Sequence, residues 1–200
     1  MSRPRTISDA DILSAAARVI GDVGPARLTL SLVAQGAGVS AATLVQRFGS
    51  RRSLLLHLAE SSVGDARRAA TEARKRSASP LAAARRVLEA FADLAATPME
   101  MAHHLAFLQM DLTDPDFHRL TRKQALEQER QLRALLDEAM GAGELRAGDA
   151  GSLARTLLTV TNGSLLRWAI VRRGSARHWL KADLDAVLAP WLSAPASLTR

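Results

Sequence analysis

The side chains best suited to bind another molecule are concentrated between residues 40 and 52. Hydroxyl, amide and guanidinium groups follow one another there, at Ser40, Thr43, Gln46, Arg47, Arg51 and Arg52. Hydroxyl and guanidinium groups hydrogen-bond phosphate oxygens, and amide and guanidinium forks pair with base edges in the major groove of DNA. This set therefore predicts nucleic-acid binding.

A second pattern suggests metal chemistry. Glu100 and His103 have the Glu-x-x-His spacing of ferritin-like metal sites, but no other Glu in the chain has a His three residues later. A di-metal enzyme is therefore not predicted. A mononuclear metal sensor stays open, because its ligands need only converge in space. Its candidate ligands are Glu100, His103, His104, Asp114 and His118.

Enzymatic motifs lack their context. Gly36-x-Gly38-x-x-Ala41 matches a loose dinucleotide fingerprint, but no strand pattern surrounds it. Walker loops, His-Glu-x-x-His and Gly-x-Ser-x-Gly are absent, and the chain has no cysteine for disulfides or thiolate zinc sites. We predict no enzymatic activity, no cofactor and no assigned metal ligand.

The residues that bear the binding groups lie in a predicted helical hairpin. Thr29 is placed to cap a first helix, Gly38 can adopt a left-handed turn, and Ser40 can cap a second helix that runs to about Arg47. Two short helices joined by a tight glycine turn are the plan of a DNA-binding helix-turn-helix.

The rest of the chain also has helical periodicity. Ser8 with Asp11 predicts a capping box, Gly24-Pro25 ends the first helix, and Ser50 caps a helix reaching about residue 76. Beyond it, breaks at 97–98, 114–115, 141–148 and 174–175 leave five helical segments. We predict an all-α protein with a helix-turn-helix DNA-binding domain over residues 1–53 and a helical ligand-binding and dimerisation domain over 54–200.

The first 55 residues resemble the tetracycline-repressor (TetR) family of transcriptional regulators. The matching positions are Ile12-Leu13, Ala16, Gly24, Thr29-Leu30, Val33-Ala34, Ala37 to Ser40, Thr43-Leu44, Phe48, Ser50-Arg51 and Leu54. The chain departs from the family at the tyrosine that commonly follows the Thr-Leu pair, since Val45, Gln46 and Arg47 stand there. These changes bear on which operator is bound. Val45 can contact a thymine methyl or turn inward.

The resemblance implies that the second hairpin helix lies in the major groove. The predicted reading residues are Ser40, Ala41, Ala42, Thr43, Gln46 and Arg47. The predicted phosphate contacts are Thr29, Ser31, Arg51 and Arg52. Arg3 and Arg5 belong to an arm that either follows the DNA or is a solvated tail.

Composition agrees with a polyanionic partner. The net charge is +7 and the isoelectric point is about 11.2. We find no signal-peptide pattern and no run of ~18–20 apolar residues, so we expect a cytoplasmic protein without a membrane segment.

The last two predicted helices are apolar on more than one side. Their stripes comprise Leu153, Leu157, Val160, Ser164, Trp168 and Val171, then Leu158, Leu165 and Ala169, then Leu180, Leu184, Val187, Leu188, Trp191 and Leu192. They form either the intramolecular core or a homodimer interface. A homodimer would let two hairpins read a palindromic operator in double-stranded DNA.

The resemblance also implies a small-molecule effector bound between helices. The candidate pocket residues are Phe91, Met99, His103, His104, Phe107, Met110, Asn162 and Trp168. Methionines and aromatic residues at helical spacing usually form plain core, and a histidine on such a helix usually hydrogen-bonds within the packing. We therefore predict a repressor released from its operator by a small molecule. The alternatives are a metal-responsive regulator and a helical binding module that does not read DNA.

Overall fold

The computed structural model describes residues 7–94 and 96–193. Within them the α-helices are α1 (Asp9–Val23), α2 (Leu30–Ala37), α3 (Ala41–Phe48), α4 (Arg51–Lys75), α5 (Pro80–Glu89), α6 (Pro98–Thr113), α7 (Pro115–Gly141), α8 (Ala150–Val171) and α9 (Ala176–Leu188). Short 3₁₀ turns follow α5 and α9. The all-α prediction is confirmed. The last helix ends at Leu188, whereas its apolar pattern predicted that it would include Trp191 and Leu192. No helix in the described ranges has the length and apolar character needed to cross a membrane.

The predicted helix starts are confirmed by their hydrogen bonds. Ser8 and Asp11 form the reciprocal capping box of α1. The hydroxyl of Thr29 accepts from Leu32 N at 3.2 Å, and that of Ser40 accepts from Thr43 N at 3.1 Å. Ser50 caps α4 in the same way. Each bond satisfies a backbone donor that a helix end would otherwise leave unpaired.

The turn between α2 and α3 depends on Gly38. This residue has φ +69° and ψ +32°, the left-handed conformation that glycine adopts without a side-chain penalty. Its N–H bonds back to the end of α2. The turn thereby fixes the angle at which α3 leaves α2.

The buried apolar side chains of the described residues form two separate cores, and α4 contributes to both. The first core joins α1, α2, α3 and the start of α4, and Phe117 and Leu120 of α7 complete it. The second core joins the end of α4 with α5, α7, α8 and α9. Ala59 is the last α4 residue in the first core, and Ala70 is the first in the second. The division into residues 1–53 and 54–200 stays a prediction, and the first core extends past residue 53.

The apolar stripes of α8 and α9 are intramolecular core for the most part. Leu153, Leu157 and Trp168 are buried, as are Leu180 and Leu184. The outward face of α8 instead exposes other apolar side chains, which neither predicted stripe contained. They are Leu166 and Ile170, with 39% and 71% exposed.

Helix α6 is packed more sparsely than its neighbours. Asp111 is the only residue of α6 that is buried, while Leu105, Leu108 and Leu112 are exposed. The helix packs against α1 on one side and α7 and α8 on another. It therefore touches both domains.

Replacing Leu136 by Ala is expected to destabilise the fold by about 2–5 kcal/mol, because Leu136 is fully buried in the second core. Leu126→Ala on the same helix is the matched control, since Leu126 is 52% exposed, and its effect should stay within about 0.5 kcal/mol. Urea unfolding followed by circular dichroism measures both. Equal losses would contradict the assignment of the core to the inner face of α7.

Candidate DNA-binding surface

The candidate DNA-binding surface is the outer side of α3. The helix buries Leu44 and Phe48 in the first core, and its other face is exposed at Ala41, Ala42 and Gln46. Since α3 is only two turns long, burying these two anchors orients the whole helix. The amide of Gln46 therefore projects into solvent, where a base edge can reach it.

Val45 also lies on the outer side of α3. It is 52% exposed, so it does not turn into the core. The position that commonly holds a tyrosine in the family thus presents a branched apolar side chain. Such a side chain can contact a thymine methyl but cannot donate to a phosphate.

The first turn of α3 is held by its own hydroxyl groups. The Ser40 and Thr43 hydroxyl oxygens lie 2.9 Å apart, and Ser40 also accepts from the backbone of Thr43. Ser40 is exposed and Thr43 is partly buried. A DNA contact by the Thr43 hydroxyl must therefore share or replace this bond.

Arg47 connects the end of α3 to the start of α1. Its Nη1 donates to the Ile7 carbonyl at 2.7 Å and lies 3.3 Å from Asp9 Oδ1. The guanidinium thus has protein acceptors before any DNA is present. Base reading by Arg47 stays a prediction, and it requires these contacts to be exchanged.

The two arginines at the start of α4 are also held by the protein. Arg51 donates to the Pro25 carbonyl in the turn after α1. Arg52 Nη2 lies 2.9 and 2.8 Å from the two carboxylate oxygens of Asp114, and 3.0 Å from Asp116 Oδ2. Its guanidinium carbon lies 5.7 Å from the centre of the Phe117 ring.

The Arg52 contact joins the two domains electrostatically. Hydrogen bonding by Arg52 lowers the pKa of Asp114, and the two carboxylates raise the pKa of Arg52. Asp114 and Asp116 begin α7, directly after α6. A phosphate contact by Arg52, which stays a prediction, would require the guanidinium to exchange these carboxylates. We call this contact the Arg52 latch.

For the hairpin to read DNA, Thr43, Gln46 and the three arginines should share an exposed basic face. The four long side chains belong to surface residues, and each guanidinium already has an intramolecular acceptor. Thr29 and Ser31 are exposed at the start of α2. Arg3 and Arg5 lie outside the described residues.

The predicted effector-binding residues are dispersed over the helical domain. Met99 and Asn162 are exposed, whereas Trp168 is buried with its indole N–H donated to the Gly174 carbonyl at 3.0 Å. Phe91 packs against the second core, and Met110 packs against the first. Phe91 and Met110 thus contact different cores.

The other predicted effector contacts lie on the inner side of α6. His103 Nδ1 donates to the Gly21 carbonyl at 2.6 Å, which attaches α6 to the end of α1. Burial lowers the pKa of His104. Phe107 packs edge-on against Phe117, with ring centres 6.1 Å apart. These residues serve the packing of α6, and their effector role stays a prediction.

Neither of two surface grooves among the described residues is lined by the predicted effector residues. A groove of about 650 Å³ lies between α4, α5 and Arg177, and another of about 480 Å³ lies between α4 and α7. Ion pairs cross both, for example Arg177 with Asp93 and Arg74 with Glu138. Neither has the enclosed apolar character expected of an effector pocket.

The candidate metal ligands are engaged separately. Glu100 accepts from the Ala96 amide and the Thr97 hydroxyl at the start of α6. His103 is bound to α1 and Asp114 to Arg52. Within residues 7–94 and 96–193, no three His, Asp or Glu side chains are arranged to hold a metal ion.

Sequence reasoning missed the acidic partners of this surface. Asp114 and Asp116 were not expected to hold Arg52, which is 62 residues away from Asp114 in the chain. Asp111 was also missed, although it shares the inward face of α6 with His104 and Phe107. That helical spacing was the available signal.

Comparison with known proteins identifies the class. A model described as bacterial regulatory proteins of the tetR family matches residues 12–58, and a model described as the C-terminal part of BetI-type transcriptional repressors matches residues 80–189. The chain belongs to the TetR family of DNA-binding transcriptional regulators.

A curated relative agrees over part of the chain. The HTH-type transcriptional regulator BetI of Rhizobium meliloti (strain 1021) is 42% identical over 69 residues. The matched segment spans 34% of this chain and 34% of the relative. The similarity thus covers about a third of either protein.

Solved structures agree over most of the chain. The TetR family regulator PfmR of Thermus thermophilus is 26% identical, with TM-score 0.61 over 89% of this chain and 97% of its own. A regulator from Saccharomonospora viridis in complex with choline is 21% identical, with TM-score 0.69 over 93% and 98%. FadR of Bacillus subtilis in complex with stearoyl-CoA is 17% identical, with TM-score 0.65 over 91% and 98%. The last two likenesses concern the fold alone.

Releasing the Arg52 latch is expected to strengthen DNA binding. In the double variant Asp114→Asn/Asp116→Asn, Arg52 loses its carboxylates and becomes available to a phosphate, while Asn still caps α7. Affinity should rise on specific and random duplexes, and the slope of log K against log salt should steepen by about 0.9 for each added phosphate contact.

Fluorescence anisotropy at several salt concentrations measures this change. The control is Glu129→Gln/Asp137→Asn, which removes two charges from α7 at residues paired with Arg155 and Arg133 instead of Arg52. An equal gain in both double variants would attribute the effect to net charge and not to the latch.

Proposed function

We propose that this regulator is a repressor that binds a palindromic operator as a homodimer and is released by a small-molecule effector. The observation that carries the proposal is the exposed outer side of α3, where Val45 and Gln46 stand free of the core. Two such helices, about one DNA turn or ~34–36 Å apart, would read two half-sites.

The chemistry of α3 favours particular bases. The Gln46 amide can pair with the N6 and N7 edge of adenine, and the Val45 methyl groups can contact the methyl of thymine. Ala41 and Ala42 allow the helix start to approach the groove floor closely. We infer a half-site with A·T pairs opposite the middle of α3.

Phosphate contacts would orient this helix. Thr29 and Ser31 flank the start of α2, where backbone amides also point outward. Arg51 and Arg52 begin α4 and would exchange their present acceptors for phosphates. These contacts carry no base preference but set the register of α3 on the duplex.

The homodimer would form through α8 and α9. Leu166 and Ile170 expose apolar surface on α8, and a Cβ at Gly163 would meet no atom within 4 Å. Ala182 and Ala186 are exposed on α9. Small residues beside apolar ones allow helices of a second copy to pack closely, and such packing would bury this surface.

The effector would bind in the helical domain and favour one of two arrangements of the dimer. The related structures hold ligands as different as choline and stearoyl-CoA, so likeness alone does not choose a ligand. Helix α6 supports the transmission, because it contacts Gly21 through His103 and leads directly into the Arg52 latch.

Selection of random duplexes by the purified protein is expected to enrich a palindrome. Gln46→Ala should then lose about 1–3 kcal/mol of discrimination at one base pair of each half-site. Gln35→Ala, at an exposed residue of α2, is the control and should keep the preference. No enrichment, with weak salt-sensitive binding only, would favour the alternative of a helical binding module that does not read DNA.

The dimer surface is tested by charge insertion. Leu166→Glu/Ile170→Glu is expected to yield monomers in sedimentation velocity, because four carboxylates would face one another across the twofold axis. Leu126→Glu, at an exposed leucine of α7, should leave the dimer intact. A double variant that stays dimeric would place the interface elsewhere.

A further inference from the structure

Arg47 is a side chain of α3 that is bound by the protein itself. Its Nη1 donates to the Ile7 carbonyl at 2.7 Å and lies 3.3 Å from Asp9 Oδ1. Only 27% of the Arg47 side chain is exposed, compared with 51% for Arg52 at the start of α4. The guanidinium is therefore held against the start of α1 without any DNA.

Arg47 lies in the last turn of α3, which is the less suitable end of the helix for reading bases. A recognition helix contacts base edges mainly with its N-terminal residues. The helix dipole stabilises a positive charge at a helix C-terminus, and Asp9 adds an ion pair there. A guanine would have to replace these interactions together with the bond to Ile7. This arrangement favours a structural use of the guanidinium over base reading.

The residue that Arg47 holds is the junction between α1 and residues 1–6 of the chain. The side chain of Ile7 packs against the first core, and its carbonyl accepts from Arg47. Ser8 and Asp11 form their capping box immediately after it. Together these contacts fix the direction in which the backbone enters α1.

Arg47 also connects two helices that both pack on α2 and α4. These neighbours are shared by α1 and α3. The contact of Arg47 with Ile7 and Asp9 adds a direct bond between the start of α1 and the end of α3. The junction at Ile7 is thereby tied to the helix that is predicted to enter the major groove.

Residues 1–6 carry two arginines, Arg3 and Arg5, and no acid. Arg5 precedes Ile7 by two residues, and consecutive Cα atoms are about 3.8 Å apart, so this segment joins the protein close to the end of α3. Guanidinium groups beside a recognition helix can bind flanking phosphates or enter the neighbouring minor groove, as arginines of an N-terminal arm do in homeodomains.

We propose that Arg47 is a positioning residue, which ties the junction at Ile7 to α3 and so places Arg3 and Arg5 on the DNA that flanks the bases read by α3. The inference rests on the proposed function, because it deepens the operator contact of the same domain. Arg47 then contributes to DNA affinity without contacting a base. Phosphate contacts by the two arginines are independent of sequence, whereas minor-groove contacts favour A·T pairs at the flanks.

The test is a double-mutant cycle on DNA affinity, measured by fluorescence anisotropy with the full chain. Its variants are Arg47→Met, which keeps an unbranched side chain, the pair Arg3→Ala/Arg5→Ala, and all three substitutions together. The arginine pair should contribute about tenfold to affinity in the wild-type background and less than about twofold when Arg47 is replaced. Equal contributions in the two backgrounds, or no contribution in either, would overturn the inference.

Arg18→Met is the matched control, because it removes the same charge from an exposed residue of α1. Its effect should add to that of the Arg3→Ala/Arg5→Ala pair. In the wild-type background, removing the pair should lower the slope of log K against log salt by about 0.9 for each lost phosphate contact, and the change should be smaller with Arg47→Met. If Arg47 serves stability alone, its replacement lowers the melting temperature without altering this slope change, and the inference fails.

Base preference separates this inference from base reading by Arg47 and from the proposed function. Selection of random duplexes with Arg47→Met should keep the preference at the positions read by α3 and change only flanking positions. Lost preference at one base pair inside each half-site would mean that Arg47 reads a base, contrary to the inference. A wild-type selection without a palindrome would refute the proposed function alone, since the cycle can then be measured on random duplex DNA.

Discussion

The burial of α4 in two separate cores is the constraint on which the rest of the molecule depends. Its first turns place Leu54 and Leu55 beneath the reading helix, and its last turns place Ala70 and Ala73 against α5 and α7. One continuous helix thereby joins the DNA-binding domain to the helical domain. Turning either end of α4 would expose apolar surface, so both cores hold the helix in place.

Two polar contacts lie where the two domains meet. Arg52, at the start of α4, is held by carboxylates at the start of α7, and His103 of α6 is bound to a carbonyl at the end of α1. Under the proposed function, Arg52 would exchange its carboxylate partners for a phosphate, and DNA affinity would then be linked to the position of α6. The link acts at short range, since it is an exchange of hydrogen-bond partners and not a long-range field.

Helix α6 lies between the two domains and buries few of its side chains. A helix with a single buried residue, Asp111, has little apolar burial to hold it in place. Leu105, Leu108 and Leu112 on this helix are exposed and add little apolar burial. The stable parts of the molecule lie on either side of it, in the two cores.

Local patterns in the sequence were sufficient for the helices and their caps. Ser8, Thr29, Ser40 and Ser50 bond to backbone amides three residues away or fewer, so their role follows from spacing alone. The family resemblance likewise depends on fixed spacing over the first 55 residues. The tertiary structure alone decided that the apolar stripes of α8 and α9 form core and that Val45 points outward. It also decided that Arg52 pairs with Asp114 while Asp111 has no cation. Those outcomes depend on which distant residues meet once the helices pack, and periodicity within one helix does not specify its neighbours.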